Sequence, residues 1–128
     1  MTPVITRSTD CETGEEALRA EAIALALMGV GALEETLLVE GASWQGANDA
    51  PVAVGRSAIQ DACSAIRPAR AIAIEQIITQ GAAGSVAGRL RRDGEGERLF
   101  CHVIRFTNSA ANQIAQLVSF EHGGAANV

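Results

Sequence analysis

A chain of 128 residues, almost half of them apolar, is long enough for one domain with its own core and too short for two. The formal charge of −5 argues against a nucleic-acid partner, whose phosphates demand a basic surface. No apolar run approaches the length of a membrane span, and the first residues lack the apolar stretch of a signal peptide. The cysteines Cys11, Cys63 and Cys101 are odd in number and too widely spaced for a disulfide framework or a metal motif. A reduced, cytoplasmic protein is expected.

In chain order, residues 1–12 read as an irregular lead-in. Thr13-Gly14-Glu15-Glu16 fits a capping box, and a helix follows to about Met28. Leu18, Ala22, Leu25 and Met28 form one apolar stripe, with Ile23, Leu27 and Val30 beside it. Gly29 and Gly31 end this helix, and a short second one is expected from Ala32 to Leu38. Ala42 to Gln45 reads as a brief strand carrying the sole tryptophan, Trp44, and GANDAPVAV at 46–54 reads as loop. A third helix runs from Ser57 to Ile66, and Pro68 blocks its continuation. Strands then cover Ala71 to Thr79 and Ser85 to Arg92 around a Gly81–Gly84 turn. Asp93-Gly94-Glu95-Gly96 is a hairpin turn. It leads into two long alternating strands, Glu97 to Thr107 and Asn112 to His122, joined by TNSAAN. Residues 123–128 are expected to fray.

Helix, helix, strand, helix and four antiparallel strands make one α+β domain over 13–122. Both faces of the terminal pair carry apolar side chains, and three helices cannot cover both faces of a flat sheet. A strongly curved antiparallel sheet wrapped around three N-terminal helices, a cystatin-like cone, covers the inner face. The outer face then holds Ala87, Arg89, Cys101, Val103, Arg105, Val118 and Phe120. An apolar centre with arginines suits a homodimer seam; the plainer alternative is a semi-exposed sheet face.

On the inner face, Phe100, His102, Ile104 and Phe106 share one side of their strand, and Ala115, Leu117, Ser119 and Glu121 are expected opposite them. Val86, Gly88 and Leu90 continue this wall, while Trp44 and the stripe Leu18, Ala22 and Leu25 close it. The expected result is an apolar pocket for a small molecule. His102 is the one group there that ordinarily titrates near neutrality, so it is the candidate catalytic residue for proton transfer, with Ser119 or Glu121 orienting it. Burial would lower its pKa and a carboxylate such as Glu121 would raise it. Plainer roles stand beside these: a satisfied core histidine, a Glu121 paired with an arginine such as Arg98, and a Trp44 that only packs. Cys63 and Cys101 read as packing residues, and Arg89, Arg91 and Arg92 as surface or seam. No phosphate loop or metal-ligand spacing is present, so no cofactor or metal is expected.

The runs GRSAI at 55–59, RLFCHVIRF at 98–106 and QIAQLVSFEH at 113–122 resemble the nuclear transport factor two-like superfamily, which includes SnoaL-like cyclases and ketosteroid isomerases. The resemblance spans roughly residues 15–122. It implies an α+β cone around an apolar pocket, with dimers common, and it names no single activity, because isomerases, cyclases, hydrolases and binding domains share the scaffold. Compared with the isomerases, His102 stands at the protonated aspartic acid of the oxyanion site, Gly46 at the catalytic base, and Ala22 near the oxyanion tyrosine, a residue type this chain lacks. Ser119 stands where the cyclases place an aspartate. The resemblance therefore leaves two expectations. One is an isomerase-, cyclase- or hydrolase-type enzyme using His102, and the other is a non-catalytic ligand-carrying or assembly module.

Overall fold

The computed structural model describes residues 2–108, 110 and 112–123. Seven strands and two α-helices follow in the order β1 (Val4–Arg7), α1 (Glu15–Leu27), β2 (Leu38–Gln45), β3 (Ala53–Val54), α2 (Arg56–Ser64), β4 (Ala71–Gln80), β5 (Ala83–Arg91), β6 (Arg98–Phe106) and β7 (Ile114–Gly123). They form one open sheet in the order β1-β4-β5-β6-β7-β2-β3. The four long strands β4 to β7 are antiparallel neighbours, as their alternation requires. The sheet as a whole is mixed, because β1 runs parallel to β4 and β2 parallel to β7.

Four departures from the expected elements have local causes. The expected 46–54 loop ends in a short strand, β3, because Ala53 and Val54 pair with Trp44 and Ser43 of β2. The lead-in contains a strand, β1, whose alternation was too short to recognise and which forms against the otherwise unpaired edge of β4. The second helix shrinks to a 3₁₀ turn at Glu35–Leu37, because Leu38 already belongs to β2. Two α-helices, not three, therefore lie inside the cone. The capping box at Thr13 is also absent: α1 is preceded by Gly14 at φ 122° with no side-chain cap, and Glu15 and Glu16 supply negative charge to its first turn. The tail falls outside the described residues beyond Gly123, which ends β7.

The bend of the sheet comes from irregular pairing. Glu75 is an extra residue in β4 between the pairs Ile74–Gly88 and Gln76–Ala87, so the inward set changes from Ile72 and Ile74 to Ile77. Opposite this bulge a Cβ on Gly88 would lie 1.9 Å from the Ala73 carbonyl oxygen, so no larger residue fits without moving backbone. A second irregularity, in β7, places Ile114 rather than Ala115 inside opposite Phe106. The register of β2 against β7 also shifts, between Leu38 and Ser43.

Helix α1 packs on β4 and β5, and α2 on β2 and β3. The buried face of α1 includes Ala17, Ala20, Ile23, Ala24 and Leu27, and its alanines let the helix approach the sheet closely. Glu21 lies on this same face, and its charge disguises the stripe in a hydrophobicity reading. Leu18 is instead 61% exposed. The Glu21 carboxylate accepts two hydrogen bonds from the Arg7 guanidinium, which ties β1 to the helix. Replacing Arg7 by alanine leaves a buried carboxylate without its partner, so Arg7→Ala should lower stability by about 2 kcal/mol in urea unfolding. Adding Glu21→Leu should restore most of the loss; equal stability of Arg7→Ala and wild type would contradict this role.

Candidate functional site

Where α1 closes down on β4 and β5, the cone is filled. Val86, Leu90, Ile104 and Leu117 are fully packed and Phe100 is buried against His102, with ring centroids 5.4 Å apart. The open space lies at the other end of the sheet, under α2 and the loop after Trp44, as a cavity of about 810 Å³. His102, Ser119, Glu121 and Trp44 line it. The remaining expected wall residues do not. Val86, Leu90, Phe100, Ile104 and Leu117 belong to the solid core, and the space above Gly88 is taken by the β4 backbone. Leu18 and Ala22 face outward, and Leu25 packs half-buried against the core.

The apolar lining comes instead from Leu27, from Ala47, Pro51 and Val52 in the loop, and from the end of α2 with Ala65 and Ile66. Periodicity could not find the loop members Ala47, Pro51 and Val52, because a loop carries none. The one signal was Pro and Gly content directly after Trp44, where Asn48 and Asp49 adopt positive φ. Arg67, Arg92 and Arg98 also reach the cavity, with Glu95. Arg92, expected at the surface or seam, follows the end of β5, whereas Arg98 shares the inward side of β6 with His102 and meets Glu121 as the sequence suggests.

Three neighbouring strands place the central polar groups. His102 on β6 pairs with Ser119 on β7, and Trp44 on β2 reaches Ser119 from the other side. Trp44 Nε1–H donates to Ser119 Oγ at 2.9 Å, and Ser119 Oγ lies 2.7 Å from His102 Nδ1. An indole can only donate, so Ser119 Oγ accepts from Trp44 and keeps its own proton and a second lone pair for Nδ1. When the hydroxyl donates to Nδ1, the imidazole proton sits on Nε2; when Nδ1–H donates to the hydroxyl, Nε2 carries the lone pair. The side chain is 1% exposed, and Nε2 has no hydrogen-bond partner among the described residues. A buried polar nitrogen without a partner costs about 1–3 kcal/mol, so its retention needs a reason.

Electrostatics keep this ring neutral. Burial pushes the His102 pKa down to about 4; the Glu121 carboxylate opposes the fall and Arg92 adds to it. Burial also works to raise the Glu121 carboxyl, but hydrogen bonds and charge from Arg92 and Arg98 outweigh it and hold Glu121 below the usual carboxylate range. Glu121 thus stays ionised as an ion-pair partner. The Cys63 thiol is pushed up to about 11 by burial and Cys101 also upward, which makes both poor nucleophiles at neutral pH. Among the described residues no cluster of His, Cys, Asp and Glu could hold a metal ion, and no helix is long and apolar enough to cross a membrane.

No family model and no curated protein matches the sequence. Solved structures do match in shape. An NTF2-like protein of unknown function from Burkholderia xenovorans LB400 superposes with a TM-score of 0.63 at 15% identity, over 85% of this chain and 82% of that one. The fold is nuclear transport factor 2-like. An NTF2-like protein of unknown function from Cytophaga hutchinsonii ATCC 33406 gives 0.57 at 17% identity, over 68% and 80%. A protein from Sphaerobacter thermophilus gives 0.61 at 17%, over 84% and 94%. At these identities the NTF2-like likeness concerns the fold and carries no residue roles.

The low pKa has a measurable consequence. Unfolded, His102 titrates near 6.5 and takes up a proton that the folded ring refuses until about pH 4. Stability should therefore fall as pH drops through this window, by about 2 kcal/mol between pH 7 and pH 5. The neighbouring Glu121 titrates below that range and Arg92 above it. His102→Asn should flatten the dependence in urea titrations; an unchanged slope would place the effect elsewhere.

Proposed function

We propose that this NTF2-like chain binds an apolar small molecule in its cavity, with the His102 Nε2–H donating to a carbonyl or hydroxyl oxygen of the ligand. The observation that carries this reading is the buried Nε2 with no hydrogen-bond partner among the described residues, on a ring whose other nitrogen is already bonded to Ser119. A ligand oxygen would satisfy it, while the apolar lining supplies affinity through excluded area. In a catalytic form of this reading, His102 acts as a neutral electrophile that polarises a carbonyl. A pKa of about 4 disfavours the expected acid–base role at neutral pH, since little imidazolium is present and the neutral ring is a weak base. In the non-catalytic form the same contact only holds the ligand, and turnover of a bound ketone separates the two.

In calorimetry, 4-phenylbutan-2-one should bind about tenfold more tightly than butylbenzene, which matches it in shape but lacks the oxygen. His102→Phe should erase that preference. Equal affinity of the two compounds for the wild type would remove His102 from the binding contact.

The three cysteines are unpaired, which suits a reducing compartment such as the cytoplasm. We also propose a homodimer through the outer sheet face. Phe120 is 57% exposed there beside its cross-strand partner Cys101, next to the pair Val103–Val118, with Leu99 and Ile78 exposed at the margins and Arg89 and Arg105 around them. Apolar side chains gathered on one sheet face, with arginines around them, are the pattern of an interaction surface. Sedimentation at micromolar concentration should give a dimer, and Phe120→Glu should give a monomer. A monomeric wild type would refute the seam.

A further inference from the structure

The cavity carries a second polar feature that an uncharged ligand would leave unused. Arg92 gives both Nη atoms to the two oxygens of Glu121 at 2.9 Å and its Nε to the Arg67 carbonyl at 3.1 Å, so every nitrogen of this guanidinium is occupied. Arg98 shares the same carboxylate, with Nε on Oε1 at 2.9 Å, and its Nη2 donates to Asn48 Oδ1 at 3.1 Å. Its Nη1 has no acceptor among the described residues, and 27% of the side chain remains exposed. Glu121 itself is 7% exposed. Two guanidinium groups on one carboxylate leave one positive charge over. The remaining charged residues of the lining, Arg67 and Glu95, pair at 2.6 Å and cancel. One surplus positive charge therefore sits in the wall of a cavity in a chain whose overall charge is −5.

This charge lies on the same wall as the histidine. Ser119, which holds His102, and Glu121, which holds the arginines, are two residues apart on β7, with a separation of about 7 Å along the strand. Building on the ligand-binding reading, we infer that the cavity selects an apolar carboxylic acid, whose carboxylate meets Arg98 and whose ketone or hydroxyl oxygen, a few carbons away, meets His102 Nε2. A monoanion matches the single surplus charge, whereas a phosphate dianion would leave negative charge uncompensated. A guanidinium with free N–H groups is the donor best shaped for a carboxylate. Glu121 stays ionised beside it, which fixes the surplus at one across the neutral pH range.

Calorimetry with 4-oxo-4-phenylbutanoate and its methyl ester tests this at pH 7.5. The acid should bind about tenfold more tightly than the ester in 50 mM NaCl, and the gap should narrow in 500 mM NaCl. In Arg98→Gln the acid should fall to the affinity of the ester. That variant keeps the Arg92–Glu121 pair and hence the buried carboxylate's partner, so its circular dichroism spectrum should match that of the wild type. Equal binding of acid and ester to the wild type overturns the anion preference and leaves the ligand reading standing. An acid preference that survives Arg98→Gln overturns the assignment to this arginine. Binding of neither compound at millimolar concentration counts against both readings.

Discussion

Everything in this molecule depends on the sheet being bent. The long strands β4 to β7 carry apolar residues on both faces, and two helices are too little material to cover a flat surface of that extent. The extra Glu75 in β4 and the close backbone approach at Gly88 turn the strands around α1. Once bent, the sheet has a filled end, where alanines on α1 allow tight contact, and an open end under α2. The cavity is what remains when one short helix and a loop face the wider end.

That geometry also explains how a histidine is kept in an apolar interior. Its strand neighbours Phe100 and Ile104 are core residues, so backbone alternation alone commits His102 to the inside. Ser119 on the adjacent β7, itself bonded by Trp44 from β2 beyond it, satisfies one nitrogen. The other nitrogen is left without a partner in a low-dielectric wall, where a hydrogen bond is stronger than in water. Neutrality is the property that matters here, because a charged ring at this depth would cost the fold stability.

The arginines complete an uneven field. Glu121 is held by Arg92 on both oxygens and by Arg98 on one, a buried triad that is costly to desolvate and is stabilised by its multiple hydrogen bonds. A fold needs no surplus charge in such a triad for packing alone. Its position two residues beyond the His102–Ser119 pair puts a neutral donor and a positive donor on one wall, which is the pattern of an orienting site rather than of a generic greasy hollow.

Strand alternation, the Asp93–Gly96 turn and the helix stop before Pro68 were legible in the sequence because each is a local property of a few residues. They were enough to specify an α+β cone and the inward facing of His102 beside Ser119. Three features were not legible. The strand β1 gains its hydrogen bonds only from a partner about 67 residues away. The alanine face of α1 is buried because the sheet comes close, and its glutamate is tolerated because Arg7 is there. The cavity wall from the 46–53 loop and from Arg92 and Arg98 exists because chain ends and turns converge in space. Sequence by itself determined that the four long segments β4 to β7 are strands and which side of β6 faces in, since period 2 is written residue by residue. Only tertiary structure decided where the hollow lies and which charges border it. Bulges shift the register, and burial at a loop or strand end is set by distant neighbours rather than by the residues themselves.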